Sequence, residues 1–237
     1  MREMERRHKR IIKEFFKISL ANLEFSALYL RKYSIILRTL GKVILIDPAD
    51  TIDVDVIGDY SSIDYVFFSC RLNDHYNKRK ALEIFRRFKP IFFADPSTYV
   101  DLSLEIPREY LISMQPGVYE TADLRINAML GLYEVPIIAY LIKVAGINIL
   151  YVSRSEHIIS GKEKVDVMIL PLTGRYLGKY ASIYEMIGSF RPKRIFIINW
   201  NEREISIFAR NILDIAPYSK IIPLRPYTSH RVALEYP

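Results

Sequence analysis

The chain is short of several residue types, and each shortage removes a class of protein. A single cysteine, Cys70, among 237 residues excludes an internal disulfide framework and any cysteine-rich zinc module. It points to a reducing compartment, so a cytoplasmic location is expected. No stretch approaches the roughly eighteen uncharged apolar residues of a transmembrane helix, and Met1 to Lys17 is too charge-rich for the apolar part of a signal peptide. A soluble protein with no membrane partner is the expectation. Gln115 is the only glutamine, and scarce amides beside one cysteine resemble a thermophile's composition. Low-complexity tracts and Gly-rich or Pro-rich linkers are absent.

Half of the residues are hydrophobic and 26% are charged, the balance of a folded chain with a sizeable core. The net charge of +7 is unevenly spread. Residues 1–20 carry seven Lys/Arg against three Glu, and residues 71–89 carry seven against Asp74 and Glu83. These segments contribute +4 and +5, so the remainder is slightly acidic at −2.

In the first segment Ile11, Ile12, Phe15, Phe16 and Ile18 recur at helical spacing, predicting a basic amphipathic helix docked by its apolar stripe. This extension is placed at residues 1–20, ahead of a main domain at 21–237. Short β-type runs then follow at 28–30, 34–39 and 43–46, with Gly41-Lys42 as the hairpin turn. Asp64 to Ser69 reads as a buried strand, Asn77 to Phe88 as a helix and Ile91 to Ala94 as a second strand, together a unit that builds a parallel pair. A β meander is expected over 123–152. Strands at 165–170, 194–198 and 220–224 then alternate with helices at 182–190 and 204–215. Both halves run from β-rich to mixed β/α, an order that fits a four-layer αββα sandwich.

Three segments in this order resemble the metallo-β-lactamase superfamily, in particular its compact lactonase-like metal-dependent hydrolases. GKVILIDPAD (Gly41 to Asp50) looks like the family's glycine, strand and Asp-Pro element. IDYVFFSCRLNDHYN (Ile63 to Asn77) looks like the strand ending in the metal-binding loop His-x-His-x-Asp-His. VDVMILPLTGRY (Val165 to Tyr176), a helix and FRPKRIFIINW (Phe190 to Trp200) resemble the late strand, helix and strand that present the final ligand.

The resemblance implies an α/β fold and one or two divalent ions, which would lower the pKa of a bound water toward about 7 and polarise the scissile bond. The ligand positions depart from that pattern. Aligning Asp74-His75 with the family's Asp-His puts Cys70 and Leu72 at the two preceding histidines. No histidine stands near Gly131 to Glu134, Arg154 falls at the metal-bridging aspartate, and Asn199 replaces the last histidine. A guanidinium at the bridging position opposes a dication by several kcal/mol at an effective dielectric of about 20.

The degenerate-site candidates are therefore Asp47, Cys70, Asp74, His75, Arg154, His157 and Asn199. Each also has an ordinary reading. Asp47-Pro48 suits a turn, Asp74-His75 a polar loop before a helix, Cys70 a small buried residue, and Glu156-His157 a surface loop. Arg71, Lys78, Arg79, Lys80, Arg86 and Arg87 are the anion-binding candidates, with Tyr76, Phe85 and Phe88 between them suited to stacking. The expectation is a catalytically degenerate protein without a cofactor, acting as a binding or scaffold subunit. Its expected partners are a nucleic acid, another phosphate-bearing ligand, a second copy or an active paralogue. The alternative is a hydrolase of phosphoesters or lactones, with zinc or another divalent metal on Cys70, Asp74 and His75.

Overall fold

The computed structural model describes residues 2–133, 135–154, 157–158, 163–172 and 180–234. The chain divides into two compact units, Met1–Ser113 with Arg225–Pro237 and Met114–Leu224.

The first unit opens with helix α1 (Arg2–Lys17), the amphipathic helix expected from the spacing. Its Ile12, Phe15 and Phe16 are buried in the unit's hydrophobic core. Three antiparallel strands follow, β1 (Glu24–Arg31), β2 (Ser34–Thr39) and β3 (Lys42–Ile46). Gly41 takes the left-handed φ of 77° that turns β2 into β3, so Lys42 belongs to the strand rather than to the turn. Arg38 of β2 donates to the carbonyls of Phe15 and Ile18 and lies over the Phe15 and Phe16 rings at 5.4 and 5.2 Å. It thereby satisfies carbonyls that the end of a helix leaves without partners.

After the short helix α2 (Val54–Gly58) come strand β4 (Tyr65–Phe68), helix α3 (Lys78–Phe88) and strand β5 (Ile91–Ala94). The Asn77 side chain caps α3 by accepting from the Lys80 N–H at 3.0 Å, and Lys89 ends it at φ 50° just before Pro90. Helix α4 (Pro96–Leu102) leads on to strand β6 (Leu111–Ser113). Strands β3 to β6 are mutually parallel, which places the residues following β3, β4 and β5 along one edge of the sheet. Such carboxyl edges are where open α/β sheets carry their ligands.

The second unit holds β7 (Gly117–Glu120), β8 (Leu124–Leu132), β9 (Ile137–Val144) and β10 (Ile147–Tyr151) as an antiparallel meander. Ala145 and Gly146 both take positive φ, 48° and 78°, as a two-residue hairpin turn of type I′ requires. The two-residue β11 (His157–Ile158) pairs with β8. Strand β12 (Val167–Pro171), helix α5 (Tyr180–Phe190), strand β13 (Arg194–Ile198), helix α6 (Glu202–Ile215) and strand β14 (Lys220–Pro223) complete a sheet of order β11-β8-β9-β10-β12-β13-β14. Asn201 and Glu204 cap α6 reciprocally, each side chain accepting from the other's N–H. The chain then returns to the first unit, where β15 (Thr228–Ala233) pairs antiparallel with β1 to give the order β15-β1-β2-β3-β4-β5-β6.

Two mixed sheets with helices are the α/β class expected from the sequence. The short elements α2, α4, β6, β7 and β11 and the returning strand β15 were not legible in it.

Candidate functional site

The carboxyl edge of the first unit's sheet gathers the conspicuous polar residues. Asp47 follows β3 with φ 45°, its N–H donating to Phe67 and its carbonyl accepting from the Ser34 hydroxyl at 2.5 Å. The backbone therefore aims the carboxylate rather than leaving it on a surface turn. Its Oδ1 accepts from the Ser69 N–H at 2.7 Å, and its Oδ2 accepts from the Ser69 hydroxyl and from His75 Nδ1, each at 2.7 Å. The Ser69 hydroxyl also lies 3.1 Å from the same His75 nitrogen. All three side chains are fully buried, and Tyr33 stacks on the imidazole with ring centroids 3.9 Å apart.

This arrangement fixes the tautomer. With Nδ1–H given to Asp47, His75 turns Nε2 the other way, and that atom is buried without a hydrogen-bond partner. Asp74 Oδ1 stands 3.7 Å from it, and Asp74 is partly exposed. Carboxylate, histidine and an outward-facing nitrogen form the order in which metal-binding histidines are oriented. Among the described residues the rest of the donor set does not complete a metal centre. Cys70 is buried, and burial, reinforced by the Asp47 charge, pushes its thiol pKa up. Leu72 offers no donor. Asp74 and His75 remain, against the three protein ligands of a catalytic zinc site. Among the described residues no group of three His, Cys, Asp or Glu side chains is placed to hold an ion.

Asp95 follows β5 on the same edge. Its Oδ1 accepts from the Ser97 and Thr98 N–H groups at 3.0 and 3.3 Å, whereas Oδ2 is buried without a partner. Burial raises its pKa, and Asp47 is among the charges pushing the same way.

The basic candidates prove to be largely paired. Asp101 of α4 accepts from the Tyr76 hydroxyl at 2.7 Å and lies 3.2 Å from Arg71 and 3.7 Å from Lys78, which also meets Glu105 at 3.0 Å. Lys80 pairs with Glu83 at 2.6 Å. The Arg87 guanidinium lies against Gly58, where an added Cβ would meet its Nε at 2.5 Å. Arg79, Arg86 and Lys89 are exposed.

Asp47, Cys70, Asp74 and His75 thus come together in the first unit, whereas Arg154 and Asn199 belong to the second. Arg154 follows β10 and sits over the Tyr133 ring at 5.5 Å. Asn199 follows β13 with φ 48°. His157 lies on β11, its backbone opposite Leu132. Glu134, Glu156 and residues 173–176 lie outside the described residues. Sequence reasoning passed over Ser69, Tyr33 and Asp101. The parallel register that sets Ile46 beside Phe67 brings the ends of β3 and β4 level, and with them Asp47 and Ser69.

Solved structures with this fold include Igni18, a metallo hydrolase from the hyperthermophilic archaeon Ignicoccus hospitalis. It is 17% identical at a TM-score of 0.67, over 90% of this chain and 100% of that one. The metallo-beta-lactamase fold protein YhfI from Bacillus subtilis is 10% identical, with a TM-score of 0.68 over 88% and 100% of the two chains. An isothiocyanate hydrolase from Delia radicum gut bacteria is 12% identical, with a TM-score of 0.60 over 86% and 98%. At these identities the likeness is one of fold. No curated protein matches the sequence. The family profile of the beta-lactamase superfamily domain matches residues 28–199, most of the chain and every element that carries the Asp47–His75 cluster, and the chain is a member of that superfamily.

Proposed function

We propose that the chain is a catalytically degenerate member of the superfamily, serving as a binding or scaffold subunit rather than as a hydrolase. The observation that carries this reading is the donor count in the loop after β4. Of its four ligand positions only Asp74 and His75 keep the family's residues, with a buried cysteine at 70 and the inert Leu72 in place of the two histidines. Arg154 at the position of the bridging aspartate adds a positive charge where the family needs a negative one. The partner is anionic. Arg79, Arg86 and Lys89 on and just after α3 offer an exposed basic surface, and nucleic acid is the partner class that such a surface addresses by counterion release.

Metal analysis of protein purified without chelator tests the reading. Sub-stoichiometric zinc, manganese and iron are expected. Near-stoichiometric metal that Asp74→Ala with His75→Ala removes would overturn it. One observation favours the second reading, a metal-dependent hydrolase with an altered site: His75 Nε2 is oriented by Asp47 and has no hydrogen-bond partner. That reading predicts metal retention together with phosphoesterase or lactonase activity lost in the same double variant.

A further inference from the structure

A cavity of about 370 Å³ lies within the first unit between α1, the 51–53 turn and Tyr227, and it shares no residue with the Asp47–His75 cluster. We propose that it binds a small phosphomonoester, with the phosphoryl group at the His8 and Lys9 side and an apolar body against Ile12 and Ile52. The volume falls in the range of small-ligand sites, and the lining sets four polar side chains over a small apolar floor, a more polar mix than most such sites have. Ile12 and Ile52 are the buried floor, and Thr51 and Lys9 bring a hydroxyl and an ammonium. The wall is built rather than incidental. The Tyr227 N–H donates to the Tyr29 carbonyl at 2.7 Å, which fixes the turn, and the His8 ring stacks on the Tyr227 ring with centroids 3.4 Å apart and planes within 8°.

Lys9 and Asp53 balance within the lining, and the positive surplus comes from Arg7 and Arg31, whose charges act on His8 from outside it. Asp53 is committed, one oxygen capping α2 through the Val56 N–H at 3.1 Å and the other 3.9 Å from Lys9. Asp50 pairs with Lys32 at 2.6 Å. Arg7 on α1 and Arg31 at the end of β1 are exposed, and neither makes an ion pair with a described carboxylate. Partial burial, then the charges of Arg31 and Arg7, hold the His8 pKa below its usual value of 6.5. The groups facing His8 are thus Arg7 and Lys9 on its own helix, Arg31 on β1, Tyr227, and the paired Asp50 and Asp53. A bound phosphoryl group offsets the charges of Arg7 and of Arg31, the latter acting on Asp50 as well, so it favours imidazolium and raises the His8 pKa.

The test is an NMR titration of the full chain with sodium phosphate and with phenyl phosphate at about pH 6.5, near the ordinary histidine value. The His8 ring signals are assigned by their loss in His8→Gln. Both ligands are expected to move those signals saturably toward the imidazolium position, phenyl phosphate at lower concentration because its ring covers the apolar floor. Arg31→Ala, a surface change outside the lining, is expected to weaken both several-fold by removing one of the positive charges that act on His8. His8 signals that move no further than in sodium chloride of matched ionic strength would overturn the proposal. So would a folded Arg31→Ala protein that binds as the parent does.

Discussion

At the scale of single residues, Asp47 bears the most. It satisfies one backbone N–H, one hydroxyl and one imidazole, all buried. Asp47→Ala removes the acceptor that all three share, leaving the Ser69 hydroxyl and His75 Nδ1 only each other at 3.1 Å, and urea unfolding is expected to register a loss of about 3–5 kcal/mol, the cost of breaking a buried charged network. Ser69→Ala removes the hydroxyl's contacts to Asp47 and His75 but keeps the backbone N–H bond to Asp47 Oδ1, and should cost about 1 kcal/mol. Asp47, Cys70, Asp74 and His75 were legible in the sequence because Asp-Pro and Asp-His are spaced as a known family spaces them. Ser69 and Tyr33 were not. A serine has no spacing signature, and a tyrosine that stacks on a histidine from another strand is defined only once the sheet has formed. His8 carries a second prediction at this scale. Its pKa in the fold lies below that of the unfolded chain, so acidification makes the unfolded chain bind more protons, and stability falls as pH drops below about 6.5. His8→Gln should flatten that part of the stability curve, as thermal unfolding across pH would register.

Among the elements, α1 shows how a charged segment is tied down. Seven of its residues are Lys or Arg, yet Ile12, Phe15 and Phe16 enter the core and Arg38 holds its last turn from below. Arg38→Met keeps the apolar stem and deletes the donors to Phe15 and Ile18. The expected result is a loss of about 1–3 kcal/mol, with trypsin cutting within residues 2–17 before the rest of the chain. The amphipathic helix and most strands were readable because their periods repeat over several residues. Helices α2 and α4, five and seven residues long, are too short for a period to show. Strand β15 exposes most of its residues and owes its existence to a distant partner, β1, so nothing local announced it.

For the whole molecule, the net charge of +7 is a poor guide until its pairs are removed. Asp101, Glu105 and Glu83 pair with Arg71, Lys78 and Lys80, which leaves Arg79, Arg86 and Lys89 exposed beside Arg87, whose guanidinium lies against Gly58. If these three meet phosphates, neutralising them should reduce the slope of log affinity against log salt by about 3, as a nucleic-acid titration at several salt concentrations would measure. An unchanged slope would remove nucleic acid as the partner of this face.

The pairing of β15 with β1 also sets an order of assembly. Glu24 and Arg231 meet across 207 residues of chain, whereas the second unit is continuous from Met114 to Leu224. During synthesis the second unit has its whole sequence available while β1 still lacks its outer neighbour. The first unit's edge therefore stays open until β15 has left the ribosome, and closing so long a loop slows folding. A stalled or truncated product would present β1 as an unpaired edge with buried-type residues such as Phe25 behind it. Such an edge is the geometry that recruits strands from other chains.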